Sequence, residues 1–309
     1  SLSALEPAGA QQVRSVWSTI PAERRRAAMR HMVELSEETF EVDFGTMYRL
    51  GLTDPSPDVR AAALDGLWED DDLTLIPQMI HLLQTDESEH VRAAAAGALG
   101  FFMYAGEIEE VPAERVAPAV TALKTAFSRA DEAVDVRRRA LESLGFLNFE
   151  EVGDLIRQGY THTDPRMRQS AVFAMGRSAD DRWGDIVMAE LDADDPAMRF
   201  QAARAAGELE WAPAVRRLIE LIDDDDEEIP YMAVWALGQI GGDRARAALT
   251  AVLDSDAEHL YEEAEDALAE LEFKGDNLDF MMFDLDEAEE DEWVLDADEP
   301  DVDEDDDDA

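Results

Sequence analysis

The chain repeats itself every 31 residues, and that period restricts the fold more than any other feature. A short phrase recurs at Asp58-Val59-Arg60, His90-Val91-Arg92, Asp135-Val136-Arg137, Arg166-Met167-Arg168 and Ala197-Met198-Arg199. Weaker copies follow at Glu228-Ile229-Pro230 and His259-Leu260-Tyr261. The aliphatic anchors stand at 59, 91, 136, 167, 198, 229 and 260, so the last four steps are 31 residues each. A period of this length marks one supersecondary unit that buries its apolar face only by stacking on its neighbours.

The units share their internal chemistry. Four residues after the anchor stands Ala63, Ala95, Ala140, Ala171, Ala202, Ala233 or Ala264, and eight after it come mostly Leu or Met. Anchor, +4 and +8 lie on one helical face and form a buried stripe, with alanine where a neighbouring helix comes close. Gly100, Gly145, Gly176, Gly207 and Gly238 follow at +9, where glycine can end a helix in a left-handed conformation. Ser56, Ser88, Asp164, Asp195 and Asp226 stand at −3 as N-caps, and Pro57, Pro165 and Pro196 suit the first turn. Second amphipathic segments at 76–83, 152–160, 183–191, 211–222 and 244–253 complete helical hairpins. The fold class is all-α, an α-solenoid of about seven such hairpins. An N-terminal helical cap (1–42) precedes the solenoid (43–274), and a disordered acidic tail (275–309) follows it.

The pattern Asp-Pro-x-x-Val-Arg-x-x-Ala-x-x-x-Leu-Gly, closest at 164–176 and 195–207, resembles the short bacterial HEAT-like repeat found in phycobilin lyase subunits. The resemblance spans about residues 40 to 272. It implies a curved helical scaffold that mostly binds other proteins, a few members acting on chromophores or nucleic acids. The HEAT-like di-iron deoxyhypusine hydroxylases depend on His-Glu pairs. None of His31, His81, His90, His162 and His259 is followed by Glu, so that activity is not expected.

Charge narrows the partners. The chain holds 74 acidic and 26 basic residues, a formal −48, and 19 of the acids fall in 275–309 without a single base. Like charge should keep that tail extended, although Phe280-Met281-Met282-Phe283 and Trp293-Val294-Leu295 are set within it. The remaining −29 opposes nucleic acid as the main ligand, because phosphate contacts need basic surface. It opposes the related DNA glycosylase reading for the same reason. A basic protein client fits the charge. So do a high-salt cytoplasm or a GC-rich genome, given only two lysines, Lys124 and Lys274.

No apolar run approaches the ~18 to 20 residues of a membrane span, and the first residues carry no apolar secretion core, so a cytoplasmic location is expected. With no cysteine there is no disulfide or thiolate site. Phosphate-cradling loops and the G-x-S-x-G elbow are also missing from the sequence. The acid runs 223–226 and 301–308 lack the glycine and spacing of a calcium loop. No cofactor, metal or catalytic residue is therefore assigned.

Function on a solenoid should sit where outward positions depart from the repeat. At +2 and +6 of the second helix the later units place Phe173, Phe200, Tyr231 and Trp235, flanked by Arg138 and Arg204, an expected aromatic partner-binding patch. The 45-residue spacing inserts 14 residues around 101–112, with an apolar start that packs and an acidic remainder that is exposed. Arg24, Arg25, Arg26 and Arg30 form the most basic cluster and are expected to dock an acidic partner or the tail, which is alternatively expected to fold onto the aromatic inner surface until a partner displaces it. The repeated arginine at +1 is expected to be structural. The reading is a non-catalytic protein-interaction scaffold, adaptor or assembly factor, with the tail engaging basic surfaces. The alternative is a lyase-like subunit acting on a tetrapyrrole chromophore. The sequence assigns no oligomeric state.

Overall fold

The buried stripe of each repeat becomes the contact between two antiparallel helices and their neighbours. A computed structural model describes residues 2–39, 41–68 and 70–274, which fold as helices and turns with no strand among them. The expected tail, 275–309, lies outside the described residues. At the N-terminus α1 (Pro7–Trp17), which packs on the third helix, precedes α2 (Ala22–Glu38). The first two repeats are α3 (Gly45–Gly51) with α4 (Pro57–Asp65) and α5 (Leu75–Thr85) with α6 (Glu89–Ala98). The inserted residues form α7 (Gly100–Glu107). Regular hairpins follow: α8 (Ala113–Ser128) with α9 (Val134–Leu144), α10 (Glu150–Tyr160) with α11 (Pro165–Arg177), and α12 (Gly184–Glu190) with α13 (Pro196–Glu208). Next come α14 (Val215–Leu221) with α15 (Ile229–Ile240), then α16 (Gly242–Leu253) with α17 (residues 261–274).

All seven anchors and all seven +4 alanines are buried. The second helices form one continuous row, α2 on α4, α4 on α6, α6 on α9, α9 on α11, α11 on α13 and α13 on α15. The glycines at +9 explain the tightness of this row. A Cβ on Gly145, Gly176 or Gly207 would lie 2.8, 2.7 or 2.9 Å from the Cα of Ala174, Ala205 or Ala236 in the next unit. These glycines do not end helices in a left-handed turn, as the sequence suggested. Among the described glycines only Gly241 and Gly242 have positive φ. Close backbone approach, rather than turn geometry, selects glycine at +9.

The arginines at +1 hold the turns together. Arg60 makes two bonds to the Asp86 carboxylate, both 2.8 Å, and donates to Asp54 O at 2.7 Å. Arg92 reaches Glu132 at 2.7 Å and Asp86 O at 2.8 Å, and Arg199 reaches both Asp224 oxygens at 2.9 and 2.8 Å and Ala193 O at 3.0 Å. Arg137 and Arg168 bond carbonyls instead, at Phe127 and His162. Each linking carboxylate also accepts a backbone N–H of its own turn: Asp54 from Ser56, Asp86 from Ser88, Glu132 from Ala133 and Asp224 from Asp226. One acid thus orders the loop entering a second helix and receives the arginine of the preceding unit. Asp164 and Asp195 cap their helices as expected, whereas Ser56 and Ser88 occupy the cap position without a side-chain bond.

This ladder corrects one sequence expectation. Arg25 is not a surface docking residue. Its guanidinium bonds both oxygens of Asp54 at 2.7 and 2.8 Å, with side-chain exposures of 6 % and 0 %, and Trp17 Nε1 donates to the same carboxylate at 2.8 Å. Arg25 is the first rung of the ladder, because α2 stacks on α4 as any second helix stacks on the next. Arg24 and Arg30 remain exposed, and Arg26 meets Asp58 at 3.2 Å on the surface. In the insertion, Phe102 and Met103 are buried and residues 107–110 exposed, as expected, but the segment is a separate helix after a break at Leu99.

Burial alone would raise the Asp54 carboxyl, but the bonds from Arg25, Ser56 N–H and Trp17 outweigh it and hold the pKa below its usual value. The Asp224 carboxyl is lowered chiefly by Arg199. Arg25→Ala strands a buried carboxylate and should cost about 3 to 5 kcal/mol. Arg26→Ala should cost about 0 to 1 kcal/mol. Denaturant unfolding of the two variants checks this, and equal losses would contradict the ladder. Because the folded pKa of Asp224 is depressed, its contribution is present above the ordinary carboxylate pKa and lost as pH falls through the folded value. The stability gap between the native chain and Asp224→Asn should stay constant from about pH 5 to 8 and close below about pH 4.

Candidate partner-binding surface

The tight row of second helices brings successive +6 and +10 positions into line. From α9 to α15 these are Glu142 and Phe146, Phe173 and Arg177, Arg204 and Glu208, then Trp235 and Gln239. The Arg177 guanidinium lies 4.5 Å from the Phe146 ring centre and 4.9 Å from that of Phe173, and Arg204 covers Phe173 at 4.5 Å. Tyr104 of α7 continues the stack against Phe146 with ring centres 5.6 Å apart. Aromatic and guanidinium groups thus alternate across three repeats and the insertion. Such contacts contribute roughly 0.5 to 2 kcal/mol each, depending on how far water is excluded.

Hollows follow one another along this face. One of about 520 Å³ lies between Trp68, Phe101, Tyr104, Phe146, Phe173 and Arg177. A second, about 430 Å³, runs on past Tyr104, Phe146 and Arg177 to Trp235 and Gln239. Trp68 and Tyr104 are 53 % and 47 % exposed and line the same hollow, so they extend one contiguous apolar patch.

Ion pairs hold the arginines in place. Arg177 and Arg204 both pair with Glu208, at 3.1 and 3.0 Å. Arg138 and Arg139 share Glu142 at 3.2 and 3.0 Å, and Arg138 and Arg166 share Asp135 at 2.7 and 3.1 Å. Burial lowers the Arg177 pKa from its usual value, with Glu208 acting against the shift. Burial likewise raises the Asp65 carboxyl at the N-terminal side of this face, against His90, Arg139 and Arg30.

The structure divides the expected aromatic patch. Phe173, Trp235, Arg138 and Arg204 lie on or beside the hollows, with Arg138 and Phe173 flanking a smaller one of about 230 Å³. Phe200 and Tyr231 are half-buried against the core, and Tyr231 stands edge-on to His259 at 5.8 Å. The reason is geometric: +2 lies about one helical turn before +6, so its side chain meets the incoming turn of the next unit rather than the groove. Sequence reasoning missed Phe146, Arg177, Trp68 and Tyr104. The +10 position, one turn beyond +6 on the same face, was the signal for the first two.

Among the described residues no helix is long and apolar enough to cross a membrane. No curated protein sequence matches the chain. The phycocyanin lyase complex of CpcE and CpcF from a Nostoc species is similar over 86 % of this chain and 95 % of that one, at 16 % identity and a TM-score of 0.55. Human deoxyhypusine hydroxylase aligns over 85 % of this chain and 96 % of its own at 19 % identity and a TM-score of 0.38. A designed armadillo repeat protein in complex with the peptide (KR)4 aligns over 63 % and 99 % at 20 % identity and a TM-score of 0.42. The sequence profile of HEAT repeats matches residues 49–125 and 184–269, more than half of the chain. With its 31-residue hairpins stacked into an α-solenoid, the chain belongs to the HEAT repeat family.

Proposed function

We propose that this chain is a non-catalytic interaction scaffold, an adaptor or assembly factor that takes a protein partner on the face of its second helices. The observation that carries the reading is the aromatic–arginine stack Tyr104, Phe146, Arg177, Phe173 and Arg204, bordered by the half-exposed Trp68. Aromatic and arginine side chains are enriched among interface hot spots, because rings bury large area at low entropic cost and the guanidinium adds directed hydrogen bonds. Here the guanidiniums are already stacked and ion-paired, so little ordering remains to oppose binding. A partner with apolar anchors for the hollows and a basic surface for the acidic tail fits both features of the chain.

The tetrapyrrole lyase alternative draws on the likeness to the phycocyanin lyase complex, and at 16 % identity that likeness carries the fold only.

Trp68→Ala combined with Tyr104→Ala removes two rings that the fold leaves about half exposed. Each hot-spot ring lost should weaken partner capture by about thirtyfold, the equivalent of ~2 kcal/mol. Capture from the native cell extract, quantified beside far-UV circular dichroism, tests this. Undiminished capture with unchanged helicity would reject the site.

A further inference from the structure

The groove ends where the described chain ends. Lys274 Nζ lies 3.2 Å from Gln239 O, 3.3 Å from Gln239 Oε1 and 3.3 Å from Glu210 Oε1. Gln239 and Glu210 both line the hollow that contains Trp235, Tyr104 and Arg177. Lys274, the last described residue, is therefore tied to the rim of the groove.

The first apolar cluster beyond it is Phe280-Met281-Met282-Phe283, held between Asp279 and Asp284. Six extended residues span about 20 Å, so Phe280 can reach this hollow. Its chemistry matches what it meets. The four apolar side chains suit the space between Tyr104, Phe146 and Trp235, and methionine adapts well to irregular aromatic surfaces. The flanking acids suit the arginines. Asp135, Glu142 and Glu208 each serve two arginines and Arg166 also meets Asp164, so five guanidiniums of α9, α11 and α13 face four carboxylates. The hollow itself presents Glu107, Glu208 and Glu210 beside Arg177, so the flanking acids face Arg177 and the rim Lys274 rather than its floor.

We infer that residues 279–284 of the same chain occupy the groove as an intramolecular competitor. A partner must displace them to reach Tyr104, Phe146 and Trp235. The basic surface of such a partner would pair with the released acids, so one client engages the groove and the tail together. This inference rests on the groove being the docking site. It adds that the site is occupied in cis when no partner is present. The tether makes that contact intramolecular, so it persists at concentrations where a free peptide of the same sequence would dissociate.

Hydroxyl-radical footprinting of the full chain tests it, with Tyr104 and Trp235 as reporters and the half-buried Tyr261 and Tyr160, which line none of the hollows, as internal controls. Changing Phe280, Met281, Met282 and Phe283 to Ser in the full chain should raise oxidation of Tyr104 and Trp235 several-fold and leave the controls unchanged. Protection of the native chain should not vary with dilution. Equal oxidation in the native and substituted chains overturns the inference. So does protection that fades on dilution, which would place a second copy in the groove. Equal oxidation together with loss of capture in the Trp68→Ala/Tyr104→Ala chain would remove the tail and keep the groove as the partner site.

Discussion

How closely the second helices approach one another determines the rest of this structure. At Gly145, Gly176 and Gly207 the backbone of one unit meets the backbone of the next with no room for a side chain, and at Gly238 it meets Ala267 in the same way. At that distance the side chains at +6 and +10 of neighbouring units must share one surface. The guanidinium of Arg177 can then lie over rings from its own helix and from the preceding unit. Wider spacing would let water between them, and the same residues would be solvated charges beside isolated rings.

The arginine ladder works at the other end of each hairpin. Bonds from Arg25, Arg60, Arg92 and Arg199 to a carboxylate of the following turn link each second helix to the next unit, while the glycines set the distance between second helices. Both devices are local and repeated, as a quasi-one-dimensional fold requires, since each unit contacts only its neighbours. Two rungs, Arg137 and Arg168, bond carbonyls instead of acids, and these lie in two of the units that carry the aromatic–arginine stack. The acidity of the chain is thus not uniform in its work. Some carboxylates hold turns, three are shared among the groove arginines, and the densest run follows Lys274.

The repeat, the hairpins, the anchors and the +4 alanines were legible in the sequence, because a 31-residue period and a 3.6-residue stripe are direct signatures of packing. The structural role of the +1 arginines was legible too, since strict register is what a repeated contact demands. Gly176 and its equivalents were misread, because a glycine near a helix end has two explanations and only the distance to Ala205 separates them. Arg25 was misread because three adjacent arginines look like one patch, although 100° per residue sends one of them inward. The aromatic surface was half legible. Phe173 and Trp235 were found from +6, whereas Phe200 and Tyr231 fell one turn away, and Tyr104 came from an inserted helix whose orientation no repeat predicts.

The central claim is that backbone approach at +9 builds the groove, and Gly176→Ala tests it most directly. Alanine is the better helix former by about 1 kcal/mol, so on propensity alone the variant should gain stability. The added Cβ would stand 2.7 Å from Ala205 Cα and 2.5 Å from Glu208 Oε2. The predicted result in denaturant unfolding is a net loss of about 1 to 3 kcal/mol as α11 and α13 are pushed apart. A variant as stable as the native chain, or more so, would contradict the account.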